Sequence, residues 1–107
     1  RNQLKLQDFD YYEIHEAFAA QVLCTLKAWQ SEKYCREVIK SNSVLGEIDV
    51  TKLNMKGSSL AVGHPFAATG ARIVGTLGKM ISEKPGRGLI SICTAGGMGV
   101  TAIMESV

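Results

Sequence analysis

The sequence predicts an α/β fold with a mixed sheet, and two features at opposite ends of the chain support that prediction. Near the N-terminus an aromatic and β-branched segment, residues 9–14, precedes apolar residues at helical spacing, which is the order of a strand followed by a helix. Near the C-terminus two apolar segments, residues 89–93 and 100–105, are joined by a short glycine-rich turn, so we expect them to pair antiparallel. The predicted element order is β-α-(β)-α-β-β.

The composition is that of a globular domain. Hydrophobic residues make up 46% of the 107 residues and charged residues 21%, which excludes a disordered chain. The net charge of +2 is too small to indicate a nucleic-acid or lipid-surface binder, and no apolar run approaches the ~20 residues that a bilayer span needs. Three irregularly placed cysteines make a poor disulfide framework, so we expect a protein of a reducing compartment.

The first helix is predicted from four apolar residues that fall on one helical face: Phe18, Val22, Leu26 and Trp29. It should end near Ser31 or continue to about Val38. A loop over residues 41–47 and a short strand over residues 49–53 should follow.

A second helix is predicted over residues 66–82, after an irregular glycine-containing stretch, with Pro65 at or next to its first turn. Its apolar stripe consists of Ile73, Leu77 and Met80 or Ile81. Small residues crowd its front half, and a glycine inside a helix costs ~1 kcal/mol relative to alanine. We therefore expect another backbone or a ligand to approach this helix closely.

His15 is the first candidate site residue, because it lies where the first strand gives way to a helix. Such strand-to-helix junctions are where α/β proteins bind ligands. The alternative is a structural histidine that caps the helix.

His64 is the second candidate, between Gly63 and Pro65. Glycine allows a ligand to approach closely, and an imidazole there can act as general base or donate to an oxyanion. The alternative is a loop histidine packed under the second helix.

Cys93 is the third candidate, at the end of a strand and before the glycine-rich turn of residues 95–99. A thiol in this position can exchange protons close to backbone N–H groups, although a buried strand cysteine is the alternative. We expect Cys24 to lie in the core and Cys35 to be incidental. The sequence contains no phosphate-binding glycine loop and no paired-cysteine zinc spacing.

Taken in order, these sites resemble the C-terminal part of a thiolase over residues 8–107. The matching motifs are His-Glu-Ala-Phe-Ala-Ala-Gln at 15–21, Gly-His-Pro-Phe-Ala-Ala-Thr-Gly-Ala-Arg at 63–72 and Cys-Thr-Ala-Gly-Gly-Met-Gly at 93–99. Asn54 with Gly57 resembles the family's Asn-x-x-Gly-Gly stretch, with Ser58 in place of the second glycine. The implied fold is part of the C-terminal half of a thiolase, so that residues 1–107 form a partial thiolase C-terminal domain.

The resemblance implies an acyltransferase that cleaves 3-ketoacyl-CoA with CoA or runs the reverse Claisen condensation. Coenzyme A is then a substrate, and no cofactor or metal is expected. His64 would activate a nucleophilic cysteine outside this chain and donate to the thioester oxygen. Cys93 would be the second acid/base, and the backbone N–H of Ala95 would help line the other oxyanion hole.

The sequence departs from the usual thiolase pattern at two of these positions. His15 stands where most thiolases have an asparagine that holds a water in an oxyanion hole, and Ala95 replaces a glycine. A histidine at this position of the motif resembles the thiolase subgroup that acts on longer 3-ketoacyl-CoA substrates, including the thiolases of fatty-oxidation complexes. For the whole enzyme, the resemblance to the thiolase family implies a homodimer or homotetramer, with a possible fatty-oxidation α-subunit as partner.

Thiolases are several times longer than this chain, which would correspond to about the last quarter of one. We expect the chain to be a fragment that is inactive alone, from a bacterial cytoplasm or alternatively a mitochondrion. Two other interpretations remain open: a non-catalytic binding or assembly module derived from a thiolase, and a small α/β protein of unrelated function.

Overall fold

A computed structural model of the chain describes residues 3–107, which form a three-stranded mixed sheet. The strands are β1 (Tyr11–Ile14), β2 (Arg87–Thr94) and β3 (Met98–Glu105), in the order β1-β2-β3. β1 runs parallel to β2, and β2 runs antiparallel to β3. The α/β prediction with its C-terminal antiparallel pair is confirmed.

Four helical segments connect and cover the strands: α1 (Ala19–Trp29), α2 (Glu32–Tyr34), α3 (Ser59–Val62) and α4 (Thr69–Glu83). α2 continues as one π-helical turn, Cys35–Ile39, and two 3-10 turns lie at Leu6–Asp8 and Val50–Lys52. The first helix ends before Ser31, whose hydroxyl accepts from the Tyr34 N–H and so begins the next segment. None of the helices in this part of the chain has the length and apolar character needed to cross a bilayer.

The sheet is covered on both faces. α4 packs on one face, where its predicted stripe meets strand residues in a buried cluster: Tyr11, Ile73, Leu77, Met80, Ile81 and Ile90. The opposite face carries a second cluster to which α1 contributes partly buried residues: Phe9, Tyr12, Ile48 and Leu89, with Leu26 and Trp29 against them. Alternation along β1 therefore places Tyr11 and Glu13 towards α4, and Tyr12 and Ile14 towards α1.

No part of the described chain closely approaches the glycines at the front of the second helix, so the expected approach of another backbone or a ligand stays a prediction. A Cβ added at Gly70 or Gly75 would meet no atom of the chain within 4 Å. A Cβ at Gly88 in β2 would instead collide with the side chain of Leu77. Within the described residues, glycine is thus required in β2 where α4 packs on the sheet.

The predicted strand over residues 49–53 is wrong. The Asp49 carboxylate accepts hydrogen bonds from Thr51 N at 2.9 Å and Thr51 Oγ1 at 2.6 Å, which folds Val50–Lys52 into a 3-10 turn. Only Leu53 pairs, through a single parallel bridge to Tyr12.

The predicted start of the second helix at residue 66 is also wrong. Residues 65–68 form a turn in which Ala68 N donates to Pro65 O, and Ala67 adopts a positive φ of 65°. That conformation is incompatible with an α-helix, so α4 begins at Thr69.

The two helical cysteines are reversed relative to the prediction. Cys24 is exposed on α1, whereas Cys35 is buried with its Sγ near the carbonyl oxygens of Ala28 and Trp29. Cys35 therefore helps to seal the junction between α1 and α2, while Cys24 lies on the outer side of α1.

Candidate active site

His15 follows β1 and remains part of the sheet. Its N–H donates to Ser91 O in β2 at 2.9 Å, which extends the parallel ladder by one residue. The side chain is only 2% exposed. β1 therefore places a buried imidazole at the carboxyl ends of the parallel strands.

The structure brings His15 and His64 together. Their ring centroids lie 4.4 Å apart with the ring planes tilted by 45°. His64 is exposed, and its Nδ1 lies 2.6 Å from Thr69 Oγ1 in the first turn of α4. Since Gly63 has a φ of 87°, the loop turns here in a conformation that favours glycine and presents His64 to His15. We call these two rings the imidazole pair.

Asn54 clamps the loop before the Gly-His-Pro motif onto the end of β1. Its Oδ1 accepts from Ile14 N at 2.8 Å, and its Nδ2 donates to Ile14 O and to Glu16 Oε1, each at 2.9 Å. Glu16 Oε2 in turn accepts from Leu60 N at 3.0 Å. The side chain of Asn54 therefore replaces a neighbouring strand. The sequence indicated this residue only as part of a motif.

Ser59 and Arg72 form a chain of contacts behind His15 that sequence reasoning did not single out. Ser59 Oγ lies 2.8 Å from His15 Nδ1, and Arg72 Nη2 donates to Ser59 Oγ at 3.0 Å. These partners are separated from each other by 44 and 13 positions in the chain. No local pattern signals such long-range pairs.

Glu13 is a second group that the sequence analysis missed. It is fully buried, and neither carboxylate oxygen has a hydrogen-bond partner among the described residues. Burial raises the pKa of Glu13 to about 7, Arg72 opposes that shift and Glu16 adds to it. One signal was available: a carboxylate interrupts the otherwise apolar and aromatic strand of residues 11–14.

Burial lowers the pKa of His15, and the neighbouring His64 and Arg72 lower it further, against an opposing contribution from Glu16. A group with a pKa below the usual histidine value is neutral at physiological pH. The buried imidazole of the pair is therefore uncharged.

Cys93 lies at the same end of the sheet and forms no hydrogen bond to either ring of the imidazole pair within the described residues. It pairs with Gly99 of β3, is partly exposed, and forms no side-chain hydrogen bond within residues 3–107. Ala95 follows in the exposed turn between β2 and β3. Cys93 lies near the carboxyl end of β2 and Ala95 follows in the turn, so the predicted position at a strand end before the glycine-rich turn is confirmed.

Within residues 3–107, no group of three or more His, Cys, Asp or Glu side chains is placed so that it could hold a metal ion. The groups available for chemistry are the imidazole pair, a partly exposed thiol and backbone N–H groups, all near the carboxyl ends of β1 and β2. Titratable groups at the carboxyl ends of strands mark a candidate ligand or active site in an α/β protein.

The family model described as "Thiolase, C-terminal domain" matches residues 1–106, and the chain belongs to the thiolase family. It is 44% identical over 106 residues to the 3-ketoacyl-CoA thiolase of Shewanella amazonensis, covering 98% of this chain and 24% of that protein. The 3-ketoacyl-CoA thiolase of Colwellia psychrerythraea is 45% identical over 107 residues, covering 99% and 25%. The chain spans about a quarter of the length of these curated relatives.

Solved structures agree with this assignment. Human mitochondrial 3-ketoacyl-CoA thiolase in complex with CoA has a TM-score of 0.72 and 30% identity, covering 97% of this chain and 22% of that one. The acetyl-CoA acetyltransferase of Syntrophomonas wolfei has a TM-score of 0.73 and 33% identity, covering 92% and 22%. The described residues therefore have the fold of one part of a thiolase.

Proposed function

We propose that this chain supplies the C-terminal catalytic residues of a 3-ketoacyl-CoA thiolase, an enzyme that transfers an acyl group between carbon and the sulfur of CoA. The reaction is thiolytic cleavage of a 3-ketoacyl-CoA by CoA, or the reverse Claisen condensation. The observation that carries the proposal is the imidazole pair, with ring centroids 4.4 Å apart at the sheet edge. Residues 1–107 then form a partial C-terminal domain that is inactive alone, because the acylated cysteine lies outside it.

His64 is proposed as the residue that activates that cysteine. Its Nδ1 is occupied by Thr69 Oγ1 at 2.6 Å, so Nε2 is the nitrogen left for the reacting groups. The ring is exposed and can be reached by a thiol from another segment. His64 Nε2 would take the thiol proton and later donate a hydrogen bond to the thioester oxygen.

His15 is proposed as a donor in the same oxyanion hole. A neutral imidazole can hold a water through its N–H, and the lowered pKa of His15 keeps the ring neutral. Its burial and its contact with Ser59 fix the ring, as electrostatic preorganisation requires.

Cys93 is proposed as the second acid/base, which moves a proton at the α-carbon of the substrate or at the leaving group. Its partial exposure at the end of β2 supports this role, because a buried thiol could not reach substrate. The backbone N–H of Ala95 would contribute to a second oxyanion hole, since a backbone donor survives the replacement of glycine by alanine.

The substrates would be CoA and acyl-CoA, in keeping with the CoA complex of the human relative. The whole enzyme would be a homodimer or homotetramer, with a fatty-oxidation α-subunit as a further partner. Because the curated relatives above come from bacteria, we place it in a bacterial cytoplasm, with the mitochondrion as the alternative.

The test is a thiolysis assay on the natural protein that contains this chain. His64→Ala and Cys93→Ala should each reduce kcat/KM by at least about 100-fold, since general acid–base groups contribute at about that level. Cys24→Ala is the matched control, because Cys24 is an exposed cysteine on α1 with no hydrogen bond to a site residue among the described residues, and it should leave kcat/KM unchanged. Unchanged turnover in Cys93→Ala would reject the assignment.

The isolated chain provides a second test. Turnover by residues 1–107 alone, above that of their Cys93→Ala variant, would contradict the proposal that the nucleophile lies elsewhere. An intact natural protein without thiolysis would instead favour the non-catalytic binding or assembly module.

A further inference from the structure

We propose that Ser59 and Arg72 are positioning residues that hold His15 as the neutral tautomer with its proton on Nε2. The place of that proton follows from the contacts around Ser59. Its use, as a hydrogen bond to a water or an oxyanion, rests on the proposed function.

The argument begins with the donors and acceptors at Ser59. A guanidinium group can only donate, so the 3.0 Å contact from Arg72 Nη2 occupies one lone pair of Ser59 Oγ. The remaining side-chain partner of Ser59 within the described residues is His15 Nδ1, at 2.8 Å. Ser59 Oγ keeps a second lone pair, but its own proton has no other side-chain acceptor among the described residues, so donation to Nδ1 is the arrangement that satisfies that proton. Because Nδ1 accepts, the proton of the neutral ring is on Nε2.

The charges around His15 favour the same state. Arg72 faces it from α4 and His64 from the preceding loop, and both lower the pKa of His15. Glu16 faces it from the chain after β1 and raises that pKa, but its two oxygens are engaged by Asn54 Nδ2 and Leu60 N. A second proton would have to enter a site that is 2% exposed and backed by a guanidinium.

The result is a division of roles within the imidazole pair. His15 is buried, neutral and fixed by Ser59 and Arg72, so it can act as a permanent donor. His64 is exposed and has only the hydroxyl of Thr69 on its Nδ1, so its Nε2 can accept and release a proton. Without Ser59 and Arg72, two adjacent imidazoles would compete for the same proton.

The experiment measures the protonated nitrogen of His15 directly. The natural protein containing this chain is labelled with 15N-histidine, and His15 is assigned by loss of its signals in His15→Asn. We expect Nε2 to give the signal of a protonated nitrogen and Nδ1 that of an unprotonated one throughout the neutral pH range. Ser59→Ala should convert His15 to a mixture of tautomers, and Ser59→Thr, which keeps a hydroxyl, should restore the parent signals.

Ser58→Ala is the matched control. Ser58 is the adjacent buried serine, and its hydroxyl donates to Ile14 O at 3.2 Å and not to the His15 ring. This variant removes a buried hydroxyl from the same segment, and the 15N signals of His15 should not change. If Ser58→Ala and Ser59→Ala alter those signals equally, the effect is general loosening and the inference is wrong.

Arg72→Met gives an independent answer even if Ser59→Ala does not fold. Without the guanidinium, Ser59 Oγ loses the donor that orients its hydroxyl group, and its proton can turn away from Nδ1, so the Nδ1-protonated tautomer should become populated. Unchanged signals of His15 in Arg72→Met would overturn the inference. If these shifts occur in a protein without thiolysis, the inference holds and the proposed function fails. If the 15N signals of His15 do not respond to these substitutions in a protein that has thiolysis activity, the inference fails and the proposed function stands.

Discussion

At the scale of single residues, the buried carboxyl group of Glu13 makes the stability of the fold depend on pH. Its pKa is raised from 4.5 to about 7, so between these values the native state binds a proton that the unfolded chain has lost. The contribution of Glu13 to stability is therefore greatest below pH 4.5 and declines as pH rises to about 7. Glu13→Gln should remove this decline and make the protein more stable at pH 8 by up to about 3 kcal/mol.

Denaturant unfolding at pH 5 and pH 8 measures this difference. The two proteins should be similar at pH 5, where the carboxyl group is mostly protonated in the fold, and should diverge at pH 8. Glu37→Gln on the exposed surface is the control and should have little effect at either pH. If Glu13→Gln instead destabilises the protein at pH 8, the carboxylate is charged and paired with Arg72.

Asn54 is the residue whose loss should be most damaging to the geometry of the site. Its side chain makes three hydrogen bonds at the end of β1, and its backbone has a positive φ of 48°. Asn54→Ala removes the hydrogen bonds. It also forces alanine into a left-handed backbone conformation, with no polar side chain to compensate. We expect a loss of about 3 kcal/mol in the free energy of unfolding.

Asn54→Gly separates the two causes, because glycine accepts a positive φ without penalty. Most of the loss should persist in Asn54→Gly, measured by the same denaturant unfolding. Recovery of parent stability in that variant would show that backbone conformation, and not the clamp to Ile14 and Glu16, is the role of this residue.

At the scale of elements, the packing of α4 on β2 depends on the absence of a side chain at Gly88. A Cβ there would collide with Leu77, which is fully buried and has little room to move. We expect Gly88→Ala to lower the free energy of unfolding by about 1–3 kcal/mol, as overpacking of a core does. Thermal unfolding of the variant and the parent gives the comparison.

Gly78→Ala is the matched control, because Gly78 lies in α4, the helix that packs on β2. A Cβ at Gly78 in α4 would meet Met104 Cε at 3.6 Å, which is ordinary van der Waals contact. The higher helix propensity of alanine should leave this variant at least as stable as the parent. Equal losses in Gly78→Ala and Gly88→Ala would mean that α4 tolerates no added methyl group, and the specific role of Gly88 would be refuted.

Elements with strong periodicity could be predicted from the sequence, and elements set by tertiary contacts could not. The stripe of Ile73 and Leu77 predicts α4 because a buried helix face repeats at helical spacing. The 3-10 turn after Asp49 depends on a single carboxylate that accepts two bonds from Thr51. No hydrophobic pattern encodes that turn.

The site follows the same rule. His15 and His64 could be found because they stand in motifs at element boundaries. Ser59 and Arg72 could not, because only the folded chain brings Ser59 Oγ within 2.8 Å of His15 Nδ1. A residue whose role depends on a partner 44 positions away leaves no local pattern in the sequence.

At the scale of the whole molecule, the chain exposes more surface than a compact protein of its size. The accessible area is 7139 Å² for 11.6 kDa, whereas a compact monomer of that mass exposes about 5,800 Å². The difference, about 1,300 Å², is larger than the roughly 800 Å² that one partner buries in a standard protein interface. Surface of this extent is normally covered by other parts of a protein or by a second copy.

Two features identify where that surface lies. β3 forms one edge of the sheet, and along it Met98 and Val100 are 68% and 57% exposed. Phe66, beside the imidazole pair, is 89% exposed. An apolar edge strand with unpaired backbone groups is a template for pairing with another chain.

We therefore expect residues 1–107, produced alone, to associate in solution and not to remain monomeric. Light scattering across a concentration series should give a mass that rises above 11.6 kDa. Val100→Lys places a charge on the β3 edge and should reduce that association, whereas Lys79→Ala on the outer side of α4 should not. A constant monomer mass at high concentration would contradict the expectation, and an equal mass for the parent and Val100→Lys would remove β3 as its cause.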